Sequence, residues 1–239
     1  MGADRRLSAV KARLSRHAGR VSATRRSLLA WFRRRGREFP WRDPAASQYV
    51  LVSSELLLQR TRAETIAGFF PRFLARFPSW EHLANATDSQ MQAFLEPIGL
   101  WRRRAAALRG LGKEMQSREG CFPKSRVEIE SLPGIGQYVA SAVMMFCHGV
   151  SEPLLDVNMA RVLERVFGSR KLADIRYDPW LQLLARALVR SRRPRQVNWA
   201  VLDLAATICT MKHPRCPICP IKETCLYAKR RRSPLPTAS

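Results

Sequence analysis

Leu132-Pro133-Gly134-Ile135-Gly136-Gln137-Tyr138-Val139-Ala140 is the stretch on which the fold turns. Val127 and Ile129 mark an apolar helix end running into it, and Ala140, Val143 and Met144 mark a helix leaving it. Gly134 and Gly136 flank one apolar residue, so the backbone can turn tightly and approach a partner without a Cβ in the way. Pro133 sets the entry angle. The N–H groups that start the second helix then point outward, where an anion such as a phosphate can sit. The glycines precede a helix and do not follow a strand, which argues against a dinucleotide-binding fold. Taken alone, an ordinary corner between two helices would show the same residues.

Working outward, the chain is helical in pattern. Ile66, Phe69, Phe70 and Phe73 recur at i, i+3, i+4, i+7, as do Met159, Val162, Leu163 and Val166. Leu181, Leu184 and Leu188 make another stripe, and Leu28, Leu29, Trp31 and Phe32 a shorter one. No segment offers several alternating β-branched positions. Punctuation at Pro40–Pro44, Pro97–Gly99, Gly110–Gly112, Pro123, Pro133–Gly136 and Pro194 leaves roughly ten helices joined by short turns. The expected class is all-α.

Charge says what such a fold meets. In 239 residues, 42 Lys and Arg face 19 Asp and Glu, a formal net charge of +23. That surplus implies a polyanionic partner, most commonly nucleic acid. No stretch approaches the ~18 continuous apolar residues of a membrane-spanning helix. Twelve of the cations fall in the first 38 residues against Asp4 and Glu38, which reads as a basic, partly disordered arm over 1–36. A frayed start or an organellar transit segment shares that composition. Lys229-Arg230-Arg231-Arg232 and the Ser-Pro-Leu-Pro after it read as a basic tail over 229–239.

The second strong signal is Cys209-x6-Cys216-x2-Cys219-x5-Cys225. Four cysteines in seventeen residues are too close to clamp distant parts of a fold, but they can converge on one inorganic centre. Four-cysteine sites hold an iron–sulfur cluster or a structural zinc. The two-residue gap suits both; the six-residue gap is long for a zinc knuckle and tilts the reading to a [4Fe–4S] cluster. No secretory signal pattern opens the chain, which disfavours disulfides. Cys121 and Cys147 stand apart and read as free thiols in a reducing, cytoplasmic or nucleoid setting.

Leu-Pro-Gly-Ile-Gly-x-Tyr-x-Ala, then Leu155-Asp156-Val157-Asn158, then the quartet, resembles the helix-hairpin-helix DNA glycosylases, relatives of endonuclease III, MutY-type adenine glycosylases and Mig-type mismatch thymine glycosylases. The resemblance covers roughly 37–228. It implies a two-lobed all-α fold: a six-helix barrel over 44–152 with the hairpin at 127–147, and a cluster lobe from 37–43 plus 153–228. Double-stranded DNA with a mismatched or damaged base would lie in the groove between the lobes of a monomer.

Chemistry follows residue by residue. A carboxylate beneath the sugar stabilises the positive charge that builds as an N-glycosidic bond breaks. Asp156 matches the family's catalytic aspartate; it is also a credible N-cap, and a helix N-terminus would keep it ionised. Tyr138 stands where strand-cutting members carry a Schiff-base lysine, so the resemblance implies hydrolysis alone, leaving an abasic site. Glu55, amid Leu56, Leu57 and Leu58, resembles the glutamate lining the base pocket, and partial desolvation would suit a general acid. Gln59, four residues on, is expected on the same helical face. It matches the glutamine that enters the duplex when the nucleotide leaves.

Ile98-Gly99-Leu100-Trp101-Arg102-Arg103-Arg104 resembles the family's wedge loop, with Leu100 at the tip and Arg102 and its neighbours anchoring phosphates. Gly134, Gly136 and Gln137 are the expected hairpin contacts to DNA, and Lys212 the contact from the cysteine region. Leu100 at the tip resembles the endonuclease III and Mig patterns, where MutY-type enzymes carry a tyrosine. With Tyr138, and with only fourteen residues after Cys225 where MutY-type enzymes continue into a further domain, the resemblance favours a thymine or uracil glycosylase acting on mismatches with guanine. The alternatives are a truncated MutY-type adenine glycosylase and a non-catalytic iron–sulfur DNA-binding protein. The second has no need of Asp156, Tyr138 and Glu55 together.

Overall fold

The structure, a computed structural model, describes residues 2–232, with side chains from 7 to 231; the end of the expected tail, 233–239, lies outside them. Among the described residues the chain divides into two compact units, one of residues 38–150 and one that joins the stretch up to residue 37 with the stretch from residue 151 onward. All regular elements among the described residues are helices.

The unit built from both chain ends opens with α1 (Gly2–Arg16) and α2 (Ala18–Arg35). These helices stand where a partly disordered arm was expected, and their cations explain why. The Arg13 guanidinium lies 3.8 Å from the Trp180 ring centroid, and Arg25 donates to the carbonyls of Ala187 and Leu188. Arg37 donates through its backbone N and its Nε to the two oxygens of fully buried Asp203, both at 2.8 Å. Side chains that composition counts as solvated are used as packing and capping groups.

The 38–150 unit starts six residues earlier than the expected barrel. The turn Pro40–Arg42 buries Trp41 edge-on against Phe70, ring centroids 5.6 Å apart, which draws this segment into the unit. There follow α3 (Gln48–Leu58), α4 (Ala63–Arg76), α5 (Trp80–Asn85), α6 (Asp88–Leu95), α7 (Trp101–Ser117), α8 (Arg126–Ser131) and α9 (Gln137–His148). The periodic stripe of α4, with Ile66, Phe70 and Phe73 fully buried, forms the centre of the core with Leu57, Leu83, Met91, Leu95, Leu108, Leu111 and Met115. Short helices are held by caps: Ser79 starts α5, and a reciprocal Thr87–Gln90 capping box starts α6.

The first unit resumes with α10 (Val157–Phe167), α11 (Pro179–Val189), α12 (Pro194–Thr207) and α13 (Leu226–Arg232). Met159, Leu163, Leu184, Val197, Leu204 and Leu28 share its core. Helix α13 runs through residues 229–232, the beginning of the expected basic tail.

Candidate active site and cysteine centre

The hairpin is α8, the turn at 132–136, and α9. The Ile135 N–H donates to the Leu132 carbonyl at 3.1 Å, closing the turn. Its two glycines do different work. Gly134 has φ +76, and a Cβ there would stand 2.5 Å from the Ala107 Cβ on α7. Conformation and space both exclude a side chain. Gly136, the N-cap of α9, is extended, and a Cβ there would meet nothing within 4 Å. Gln137, next along, is exposed at the helix start. Close packing also seats the turn on α7: a Cβ at Gly110 would come within 2.8 Å of the Pro133 ring.

Around the hairpin the same unit presents two loops. Helix α3 ends at Leu58, so Gln59 does not share a helical face with Glu55; it sits past the end with ψ 113. From there its Nε2 donates to the Gly134 carbonyl at 3.4 Å. Leu100 has φ +52 and is 44% exposed, an apolar side chain held outward by a left-handed backbone at the start of α7. Arg102 is exposed, its guanidinium 4.0 Å from the Trp101 ring centroid. Arg104, in the same run, points the other way and is 4% exposed. Glu55 is buried on α3 at 4% exposure, and Tyr138, in the first turn of α9, packs against the core of this unit.

In the other unit Asp156 is the N-cap of α10. Its Oδ1 accepts from the N–H groups of Asn158 at 3.0 Å and Met159 at 2.7 Å, and its Oδ2 from Asn158 Nδ2 at 2.7 Å. Burial nevertheless pushes the carboxyl above its ordinary range, against the pull of those bonds and of the Arg161 charge. A cap alone would have lowered it. Upstream, Asn198 on α12 clamps the approach: its Oδ1 accepts from Leu154 N at 2.7 Å, and its Nδ2 donates to the Glu152 carbonyl at 3.0 Å. Asn198 is fully buried, and no sequence pattern marked it.

The four cysteines lie together on the core of this unit, none in a disulfide. Burial raises the Cys219 thiol to about 11, and Cys209, Cys225 and Cys216 are near enough to push it the same way. Two arginines from α10 reach them. Arg165 Nη1 donates to Cys209 Sγ at 3.3 Å and to the Thr210 carbonyl at 2.7 Å, and its Nη2 to the Met211 carbonyl at 2.8 Å. Arg161 donates to the Cys209 carbonyl at 3.0 Å and to Asn158 Oδ1 at 3.1 Å, linking the cysteine segment to the Asp156 cap. Lys212 is exposed on the loop that Arg165 holds. Among the described residues, no three His, Cys, Asp or Glu side chains converge on a single-ion site.

A tight helical hairpin in a chain of net charge +23 fits a class of protein that handles DNA. Residues 53–177 match the HhH-GPD superfamily base excision DNA repair protein model, and the chain belongs to that family. It is 36% identical over 214 residues to the thymine-DNA glycosylase of Aeropyrum pernix, spanning 87% of this chain and 96% of that protein. It is 38% identical over 214 residues to the thymine/uracil-DNA glycosylase of Pyrobaculum aerophilum, over 87% of this chain and 92% of that one. Adenine DNA glycosylases also match, at lower identity than these two. A solved thermostable thymine-DNA glycosylase superposes with a TM-score of 0.81 at 28% identity, over 89% of this chain and 98% of that one. The protein is a base-excision DNA glycosylase. Among the described residues no helix is long and apolar enough to cross a membrane.

Proposed function

We propose that this glycosylase removes thymine or uracil mispaired with guanine by hydrolysis alone, leaving an abasic site. The observation that carries the chemistry is Asp156, a carboxylate held by three hydrogen bonds yet shielded enough for burial to dominate its ionisation. In the ionised form it stabilises the oxocarbenium-like sugar as the C1′–N bond breaks and its electron pair leaves with the base. A water oxygen then bonds to C1′ as Asp156 takes a water proton, and Glu55 protonates the departing base. Tyr138 supplies no amine for a Schiff base, so the backbone stays intact. The choice of pyrimidine rests on likeness to two relatives named for thymine and thymine/uracil across nearly their whole length.

Nucleotide extrusion falls to Leu100 as wedge and Gln59 as the group that fills the vacated space. Gly134, Gly136 and Gln137 offer the hairpin backbone to a phosphate, while Arg102 and Lys212 add charge. The four cysteines fit a [4Fe–4S] cluster: they are neighbours on one core, unpaired with one another, and Arg165 offsets negative charge at Cys209. One thiolate per iron does not require convergence on a single ion. The cluster, when bound, cross-links residues 209–225 and so orders the Met211 loop that carries Lys212.

End-labelled duplexes with G·T, G·U, G·A or 8-oxoguanine·A, split between hot alkali and no treatment, test this reading. Alkali-dependent cleavage at T or U is expected. Cleavage at A would move the assignment to adenine, and breaks without alkali would remove Tyr138 from its role.

A further inference from the structure

We infer that Arg104 is a positioning residue that fixes the Gln59 loop and the Leu100 loop in one relation, so that both arrive on the duplex together. The inference rests on the proposed insertion of those two side chains. Its basis is how one guanidinium is divided. Nη1 donates to the carbonyls of Ile98, at 2.7 Å, and Gly99, the two residues before Leu100. Nη2 donates to the carbonyls of Leu57, at 3.0 Å, and Gln59, at 2.6 Å, and to Thr61 Oγ1 at 2.6 Å. One nitrogen serves each loop. Thr61 closes the ring by donating from Oγ1 to the Ile98 carbonyl at 3.4 Å.

A cation that only capped the end of α3 would need the second nitrogen alone. This one spends its other nitrogen on the loop just before its own helix, at Ile98 and Gly99, so that one side chain, 4% exposed, joins that loop to the end of α3, which lies far from it in sequence. Burial lowers its pKa, so the site carries a desolvation cost that neutral packing would avoid. What the charge offers in return is a planar fork with donors fixed in direction, which lysine lacks. Strain lies on both sides of the fork. Arg60 and Leu100 hold φ values of +59 and +52, conformations that persist where surroundings over-determine them. Arg104 is that surrounding for both loops, and it leaves Gln59 Nε2 directed at the Gly134 carbonyl of the hairpin.

The test uses the full chain carrying Arg104→Lys or Arg104→Met. In DNA-free protein, amide exchange over 57–61 and 98–101 is expected to speed up in both loops together, by about tenfold, while α9 is unchanged. Acceleration in one loop only, or in neither, overturns the coupling whatever the substrate proves to be. On a G·U duplex with 2-aminopurine beside the mismatch, the flipping signal is expected to fall and the single-turnover rate to drop about 100-fold, with affinity for undamaged duplex kept within about twofold. A flipping signal equal to wild type overturns the positioning role. Adding Arg104→Lys to Leu100→Ala is expected to lose little more than the worse single change; multiplicative losses overturn it. A wild-type protein inert on every mismatch would sink the proposed substrate, while the exchange result would still decide Arg104.

Discussion

Asn158 Nδ2 donates to Asp156 Oδ2 at 2.7 Å, so the carboxylate proposed to face the sugar is steadied by the second residue of the helix it caps. Two backbone N–H groups bind its other oxygen, and burial still leaves the carboxyl above its ordinary range. The acid limb of the single-turnover rate should therefore lie above pH ~4, the usual carboxylate value. The ionised form is the active one, so activity is present above the folded-state pKa and falls with unit slope as pH drops through it. Asn158→Leu removes a donor that favours the ionised form and moves the limb to higher pH; a limb that stays in place would detach Asn158 from this role. Asp156→Asn should keep DNA binding and lose turnover at every pH.

The two hairpin glycines should separate stability from function. Gly134→Ala meets both a φ of +76 and the Ala107 Cβ at 2.5 Å, and is expected to cost roughly 2–4 kcal/mol in unfolding free energy. Gly136→Ala meets nothing within 4 Å and keeps an extended backbone, so it should cost under about 1 kcal/mol. It places a methyl group at the mouth of the α9 N-terminus, where a phosphate would approach. Its affinity for duplex should fall about tenfold at fixed salt. Denaturant unfolding and binding titrations on the two variants check the contrast. Equal affinity for Gly136→Ala and wild type would place the phosphate elsewhere.

The hairpin was legible because Pro133, Gly134 and Gly136 specify backbone, and backbone rules act locally. The stripes of α4 and α10 were legible for a related reason: Ile66, Phe70 and Phe73, and Met159 and Leu163, repeat over enough turns to show which face is buried. Helices α5, α6 and α8, of 6, 8 and 6 residues, are too short for that, and the expected count of about ten fell below the thirteen observed among the described residues. The first 36 residues misled because formal charge says nothing of where a guanidinium ends. Arg13 on Trp180 and Arg25 on two carbonyls are tertiary partnerships at a distance of more than 160 residues along the chain. Gln59 was placed by extending α3 one residue beyond its end, and Arg104 was read with its neighbours as a phosphate contact. In each case the deciding partner, the Gly134 carbonyl or the carbonyls of two loops, belongs to the fold and not to the local sequence.

Asn198 connects stability to the Asp156 approach. Its amide satisfies Leu154 N and the carbonyls of Glu152 and Pro194, all from a fully buried side chain. Asn198→Leu keeps the branched outline of the side chain but puts two bulkier methyl groups where the amide was and leaves those groups unsatisfied, and is expected to cost about 2–4 kcal/mol. Asn198→Asp retains the acceptor for Leu154 but loses the donors to both carbonyls. It should be destabilised at neutral pH and partly recover as acid protonates the new carboxyl. Thermal melts from neutral to acidic pH on the two variants are the check, and equal melts for wild type and Asn198→Leu would rule the clamp out.

Leu100 should behave oppositely in stability and activity. Its side chain is 44% exposed and its backbone is left-handed, so the folded protein gains little from the leucine and bears the strain of its φ. Leu100→Gly relieves that strain but frees the unfolded chain, and the two effects offset to within about 1 kcal/mol. Activity has no such offset. A glycine cannot occupy the stack when a nucleotide leaves, and unstacking then costs a few kcal/mol with nothing to replace it. The variant should melt within a few degrees of wild type, yet lose about 100-fold in single-turnover rate on duplex G·U. On the same uracil in single-stranded DNA, where no stack has to be opened, the loss should shrink to a few-fold. An equal loss on both substrates would mean that Leu100 serves the chemistry or the fold of the loop, and not the extrusion of the base.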